Sequence, residues 1–164
     1  MTPHDITPTV NGTEHSLTLE PRTLLVPALR DELGYTGPNV GCESSLCGAC
    51  TVHEDGRAVK SCTRLAVQAA GSDITTVEGI VSGSDFHPIH DAFQAERGLQ
   101  CGDCTPGMMM TAVDFLEENL DPDSAEIRGT LEGNLCRCTG YQNIVRAVET
   151  GGDTLAGQGA GGGD

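Results

Sequence analysis

The chain has 164 residues, eight cysteines, two Tyr, three Phe, no Trp and a formal net charge of −15. That length allows one domain or two small ones, and so few large apolar groups bury little surface without covalent or metal staples. The charge excludes nucleic acid and anionic membrane as partners, because both need cationic contacts.

Lys60 is the single lysine, against eight arginines. Such acidity fits a docking face, a high-salt cytoplasm or a plain solvated surface. The segment 1–10 has no cationic, apolar leader pattern, and no apolar run approaches the roughly 18 residues of a membrane span. The expected location is the cytoplasm, with no membrane span. Thiols stay reduced there, so eight cysteines point to metal rather than disulfides.

The first expected unit covers residues 1–81. Asp5–Val10, Asn11-Gly12 and Ser16–Leu19 read as strand, turn, strand. Leu24, Leu25, Ala28, Leu29 and Leu33 recur at helical spacing. Pro27 suggests that the regular helix begins near it, since Pro is tolerated in a first turn. Thr51–His53, Glu54-Asp55-Gly56 and Ala58–Ser61 form a second expected hairpin, and Ile74–Val77 a last strand.

The second unit covers residues 82–150 and reads as four short helices in a compact bundle. Pro88 starts the first, with Ile89 and Phe93 facing inward. Thr105 as N-cap and Pro106 start the second, and Met108–Met110 are core. Asp123 with Glu126 resembles a capping box ahead of Ile127 and Leu131. Tyr141, Ile144, Val145 and Val148 mark the fourth. Residues 151–164 are Gly-rich and expected to form a disordered tail.

Cys42, Cys47 and Cys50 follow the Cys-x4-Cys-x2-Cys spacing of plant-type ferredoxins, with Cys62 as a fourth ligand. Four thiolates converging on a small inorganic core need a loop that wraps closely, which Gly41 and Gly48 permit. Loop N–H groups can bond the sulfurs and offset their charge. The second set is Cys101-x2-Cys104 with Cys136-x-Cys138. Each pair precedes an expected helix, whose N-terminus suits an anion. A structural zinc is the rival for this second set, and disulfides or zinc are weaker rivals for the first. His87 and His90 lie on adjacent turns, but no third ligand accompanies them.

Gly41-Cys42-Glu43, Cys47-Gly48-Ala49-Cys50-Thr51-Val52 and Ser61-Cys62 resemble the first signature of the small iron–sulfur subunits of molybdenum hydroxylases. Gln100-Cys101-Gly102, Cys104-Thr105-Pro106-Gly107-Met108 and Gly133-Asn134-Leu135-Cys136-Arg137-Cys138-Thr139-Gly140-Tyr141 resemble the second. Leu29-Arg30 and the stretch from Thr75 to Gly79 fit as well. The resemblance covers residues 5–150. It implies an α+β chain: an N-terminal plant-ferredoxin-like β-grasp domain, then a four-helix [2Fe–2S]-binding domain. It implies two [2Fe–2S] clusters on the eight cysteines, with Gln100 and Cys138 at a pterin contact and no catalytic residue in this chain. It implies a hetero-oligomer with a large molybdenum–pterin subunit and a medium FAD-binding subunit. Electrons would run from molybdenum through the Cys101 set, then the Cys42 set, to FAD.

Within the family, Lys60-Ser61-Cys62-Thr63, Ala66-Val67-Gln68-Ala69, Gly98-Leu99-Gln100-Cys101, Ala125-Glu126-Ile127-Arg128 and Tyr141-Gln142-Asn143-Ile144-Val145 look most like carbon monoxide dehydrogenase small subunits. The alternatives are the small subunit of an aldehyde, xanthine or N-heterocycle dehydrogenase, and a free-standing two-cluster ferredoxin. The sequence departs from the family at Ser44-Ser45, where many relatives carry a glycine, at Asp103, where Phe or Tyr is usual, and at Pro27.

Overall fold

A computed structural model describes residues 2–82 and 85–159. Strand β1 (His4–Ile6) pairs antiparallel with β4 (Leu17–Leu19), His4 opposite Leu19. Between them β2 (Thr9–Val10) turns through Asn11-Gly12 into β3 (Thr13–Glu14). Both turn residues have positive φ, 50° and 75°, as a type I′ turn requires. The expected hairpin is therefore present, split into two short pairings.

Five strands form one sheet in the order β3-β2-β7-β5-β6. Here β5 is Thr51–Glu54, β6 is Arg57–Lys60 and β7 is Asp73–Thr75. The β5–β6 turn is the two-residue Asp55-Gly56, so Glu54 still pairs with Arg57. β2 and β7 run parallel, and β5 lies antiparallel to β7. The last strand starts at Asp73 and stops at Thr75, because residues Val77–Ile80 coil into a 3-10 turn.

Helix α1 (Leu25–Pro27) begins two residues before the expected Pro27 and runs into a π turn over Ala28–Glu32. There Leu33 N–H reaches back five residues to the Ala28 carbonyl at 3.2 Å. Pro27 lies in the first turn, where its missing N–H has no partner to lose. Leu25 and Leu29 pack on Val10, Val52 and Ile74 of the sheet.

A short pairing of β8 (Val81–Ser82) with β9 (Asp85–Phe86) leads into α2 (Pro88–Ala95). Then follow α3 (Thr105–Glu118), α4 (Ser124–Thr130) and α5 (Gln142–Gly159). Ile89, Phe93, Met108, Met109, Val113, Leu116, Ile127, Ile144 and Val148 close one apolar core between them. The capping box forms as read: Asp123 Oδ1 accepts from Ala125 and Glu126 N–H at 2.8 and 2.9 Å, and Glu126 Oε2 accepts from Asp123 N–H at 2.9 Å.

Two expectations are corrected. The cap of α3 is Cys104, not Thr105, which is the first helical residue. The chain beyond Gly151 is not a tail from there on: α5 continues to Gly159. Gly151 and Gly152 are buried, and a Cβ on them would stand 2.8 Å from Ile89 Cδ1 and 2.9 Å from the Leu120 carbonyl. These glycines let α5 approach α2 and the end of α3, so they serve packing rather than flexibility. Residues 160–164 lie outside the described residues. Among the described residues, no helix is long and apolar enough to cross a membrane.

The sheet and the helices meet along α3. Buried His53 on β5 donates from Nε2 to the Met110 carbonyl at 2.7 Å. Arg57 on β6 pairs with Asp114 at 3.6 Å and with Glu118.

Candidate metal centre

The first cysteine set is built from a loop and a hairpin end. Arg30 donates from Nη1 to the carbonyls of Thr36 (2.6 Å) and Pro38 (3.0 Å), which fixes the approach to Cys42. Asn39 N–H closes onto the Ala49 carbonyl at 3.1 Å. Within the loop Glu43 and Ser45 take left-handed backbone angles, φ 55° and 63°. Such reversals turn successive N–H groups to one side. Ser44 and Cys47 N–H both donate to Cys42 Sγ, at 3.4 and 3.3 Å. Hydrogen bonds from Ser44, then from Cys47, bring the Cys42 thiol down to about 6. The Ser44-Ser45 stretch is tied to the turn that carries Cys62: Thr63 Oγ1 donates to Ser45 Oγ at 3.1 Å.

Cys50 immediately precedes β5, and Cys62 sits in the 3-10 turn (Ser61–Thr63) that follows β6. Both are buried against Val26. Burial first, and then the neighbouring Cys50, pushes the Cys62 thiol up to about 11. Burial likewise raises Cys47.

The second set joins the α2–α3 loop to the α4–α5 loop. Cys101 Sγ and Cys138 Sγ stand 3.5 Å apart at the surface. Cys104 and Cys136 contact each other deeper in, and burial followed by that contact pushes Cys104 up to about 12. Cys136 Sγ lies 3.2 Å from Thr139 Oγ1. Cys136 N–H donates to the Tyr141 hydroxyl at 2.8 Å, and that hydroxyl donates on to the Asn134 carbonyl at 2.9 Å. Cys104 caps α3 directly, whereas Thr139-Gly140-Tyr141 separate Cys138 from α5. Gln100 and Arg137 are exposed beside this set. Asp103 is also exposed, and its carbonyl accepts from Asn39 Nδ2 at 3.0 Å.

All eight expected cysteines are free thiols; Cys42 neighbours Cys47 and Cys50 neighbours Cys62 in one set, and Cys101 neighbours Cys138 and Cys104 neighbours Cys136 in the other. His87 and His90 stay apart from them. His87 Nδ1 caps α2 by accepting from Ile89 N–H at 3.2 Å. No third ligand gathers round this pair among the described residues.

A contact that the residue pattern did not announce joins the two sets. Leu135 N–H donates to the Cys47 carbonyl at 2.8 Å. Asn134, 1 % exposed, donates from Nδ2 to the Gly48 carbonyl at 3.3 Å and accepts from Thr111 Oγ1 at 3.0 Å. Lys60 Nζ reaches the same turn, 3.0 Å from the Gly133 carbonyl and 3.3 Å from Asn134 Oδ1. Gly107 faces Gly48 so closely that a Cβ on it would stand 2.0 Å from the Gly48 carbonyl oxygen. The Gly133-Asn134-Leu135 run beside Cys136 was the available signal, but its partner in the other loop was not.

Residues 76–149 match the family described as [2Fe-2S] binding domain. The chain is similar to the caffeine dehydrogenase subunit gamma of Pseudomonas sp. (strain CBB1), 48% identical over 153 residues that cover 92% of each chain. Its structure is similar to a chain of quinoline 2-oxidoreductase from Pseudomonas putida 86, with TM-score 0.91 and 42% identity over 95% of this chain and 98% of that one. It is also similar to part of the aldehyde oxidoreductase of Desulfovibrio gigas, with TM-score 0.89 and 39% identity. That match covers 94% of this chain but 17% of the longer one.

Proposed function

Because the chain belongs to the family of small iron–sulfur subunits of molybdenum hydroxylases, we propose that it holds two [2Fe–2S] clusters and conducts electrons inside a hetero-oligomeric oxidoreductase. Cys42, Cys47, Cys50 and Cys62 would hold one cluster, and Cys101, Cys104, Cys136 and Cys138 the other. The observation that supports this reading is the close approach of free thiols within each set, Cys42 to Cys47 and Cys50 to Cys62, Cys101 to Cys138 and Cys104 to Cys136.

The residues fit such groups. The Cys42 loop already aims two N–H groups at a sulfur. The buried Thr105 hydroxyl beside Cys104 has no partner among the described residues, and a cluster sulfur would satisfy it. When bound, the clusters supply one-electron acceptance and release; the protein supplies ligation, spacing and electrostatics. Burial of Cys50 and Cys62 keeps water from one side of the first set, while Cys101 and Cys138 lie at the surface, where a partner can approach.

The parallel β2–β7 pair beside β5, with α1 packed across it, supports a plant-ferredoxin-like β-grasp lobe. The four later helices support a separate cluster-binding lobe. We assign the molybdenum–pterin site to a large partner and FAD to a medium partner, in the cytoplasm, where thiols stay reduced. The long aldehyde oxidoreductase chain, of which this protein matches 17%, is consistent with a module that works joined to others. A free-standing ferredoxin would instead purify alone with full redox activity.

Substrate choice belongs to the molybdenum-bearing partner. The motifs round Lys60 and Tyr141 favour a carbon monoxide dehydrogenase-type complex. The similarity to proteins named for caffeine and quinoline favours a complex that oxidises a nitrogen heterocycle, and we adopt this second reading. Assay of the purified complex with heterocycles, aldehydes and carbon monoxide decides between them. Four iron and four sulfide per chain are expected; stoichiometric zinc with negligible sulfide would end the cluster reading.

A further inference from the structure

Lys60, the only lysine of the chain, ends β6 two residues before Cys62. Its ammonium is half-buried and donates to Thr51 Oγ1 (3.1 Å), the Gly133 carbonyl (3.0 Å) and Asn134 Oδ1 (3.3 Å). These three bonds use every donor it has. Thr51 follows Cys50, and Asn134 lies two residues before Cys136. One cation therefore ties the strands carrying Cys50 and Cys62 to the loop carrying Cys136.

Its charge is not offset locally. Arg64 is paired with Glu54, and Arg57 with Asp114 and Glu118. Lys60 meets only neutral acceptors among the described residues. Lys60 ends the strand that leads into Cys62, and its acceptor Thr51 follows Cys50, so its charge sits beside two cysteines of the first set. A cluster bound there would gain one negative charge on reduction, and a nearby unpaired cation stabilises that state more than the oxidised one.

We propose that Lys60 is a positioning residue that fastens the Cys136 loop to the Cys50 and Cys62 strands, and whose charge raises the reduction potential of the cluster on Cys42, Cys47, Cys50 and Cys62 selectively. This rests on the two-cluster reading above. The test uses the full chain in its complex, with K60Q, K60M and K60R, and starts with iron and sulfide counts. A wild-type chain without both clusters overturns the cluster reading and this inference together. With clusters present, redox titration followed by electron paramagnetic resonance should show a lower potential for the first cluster in K60Q and K60M. The second cluster should move less, and K60R should stay near wild type. An unshifted first cluster in K60Q, or equal shifts in both clusters, overturns the proposal. Where K60M loses its clusters, K60Q still carries the test, because its amide can donate to Gly133. Loss of clusters from both neutral variants but not from K60R supports a role for the charge; loss from all three overturns it.

Discussion

The Cys47 carbonyl accepts the Leu135 N–H at 2.8 Å, so a single backbone hydrogen bond lies between one cysteine set and the residue preceding Cys136. The Cys47 loop comes this close to the Gly133-Asn134 turn because Gly48 has no side chain, a Cβ there standing 2.5 Å from the Gly133 carbonyl, and this close to α3 because Gly107 sits under Gly48 without one. Backbone, not a flexible side chain, stands opposite it. Gly107→Ala should therefore force the Cys47 loop away from α3 and destabilise the chain by roughly 1–3 kcal/mol, the usual cost of overpacking. Urea denaturation of the reconstituted protein measures this. A change under about 0.5 kcal/mol, typical of an indifferent surface site, would mean that the junction relaxes without strain.

The two clusters should be separable by mutation despite this contact. The Cys47–Leu135 bond uses backbone atoms, so replacing the Cys47 side chain leaves it in place. Cys47→Ser should disturb the first cluster and spare the second; Cys104→Ser should do the reverse. Electron paramagnetic resonance of the reduced variants reads each signal. Loss of both signals from an otherwise folded variant would show that the sets do not assemble independently.

Stability should fall on mild acidification because of His87 and His90. Burial first lowers both pKa values; His90 lowers His87 further, and for His90 a backbone hydrogen bond with His87 and the charge of Asp91 oppose the shift in part. In the unfolded chain both titrate near the usual value of about 6.5. Below that pH the unfolded chain binds more protons than the folded one, so stability rises with pH there. The contribution is complete above the unfolded pKa and is lost as pH falls below it. Urea midpoints at two pH values on either side should show a smaller acid loss in the double variant His87→Asn, His90→Gln. Asn at position 87 keeps an acceptor for Ile89 N–H. An equal loss in both proteins would remove these histidines from the account.

Local chemistry made much of this architecture legible. Asn11-Gly12 and Asp55-Gly56 announce their turns because only a few residues adopt the positive φ that such turns need. Asp123 and Glu126 announce α4 because each partner lies within three residues of the other. The cysteine motifs are legible for a similar reason: Cys42, Cys47 and Cys50 lie within nine residues, and Cys101 with Cys104 and Cys136 with Cys138 form local pairs. What stayed hidden depends on distant partners. Gly151 and Gly152 look like a flexible tail until α2 and the end of α3 pack against them. Thr105 looks like a cap because its side chain suits one, but the cap falls a residue earlier, at Cys104, and Thr105 is the first helical residue. Lys60 and Asn134 are ordinary polar letters until folding brings residues 73 and 74 positions apart within hydrogen-bond reach.

The order of electron flow gives the last prediction. Cys101 and Cys138 are exposed, with Gln100 exposed beside them, whereas Cys50 and Cys62 are buried. The surface position makes the second set the better entry point for a cofactor held by a partner. An amide such as Gln100 carries both donor and acceptor atoms and can recognise a pterin ring edge. The family resemblance puts Gln100 and Cys138 at that contact. A purely local role for Gln100 is the alternative, namely satisfying loop backbone groups. Gln100→Ala should slow transfer from molybdenum to the Cys101-set cluster or weaken retention of the molybdenum cofactor. Flavin reduction by the Cys42-set cluster should stay intact, because nothing in the first loop depends on Gln100. Rapid-freeze electron paramagnetic resonance of the assembled complex resolves the two steps, and Gln100→Glu separates loss of the amide donor from loss of the side chain. If substrate reduced the Cys42-set cluster at the normal rate in a variant lacking the second cluster, the order proposed here could not stand.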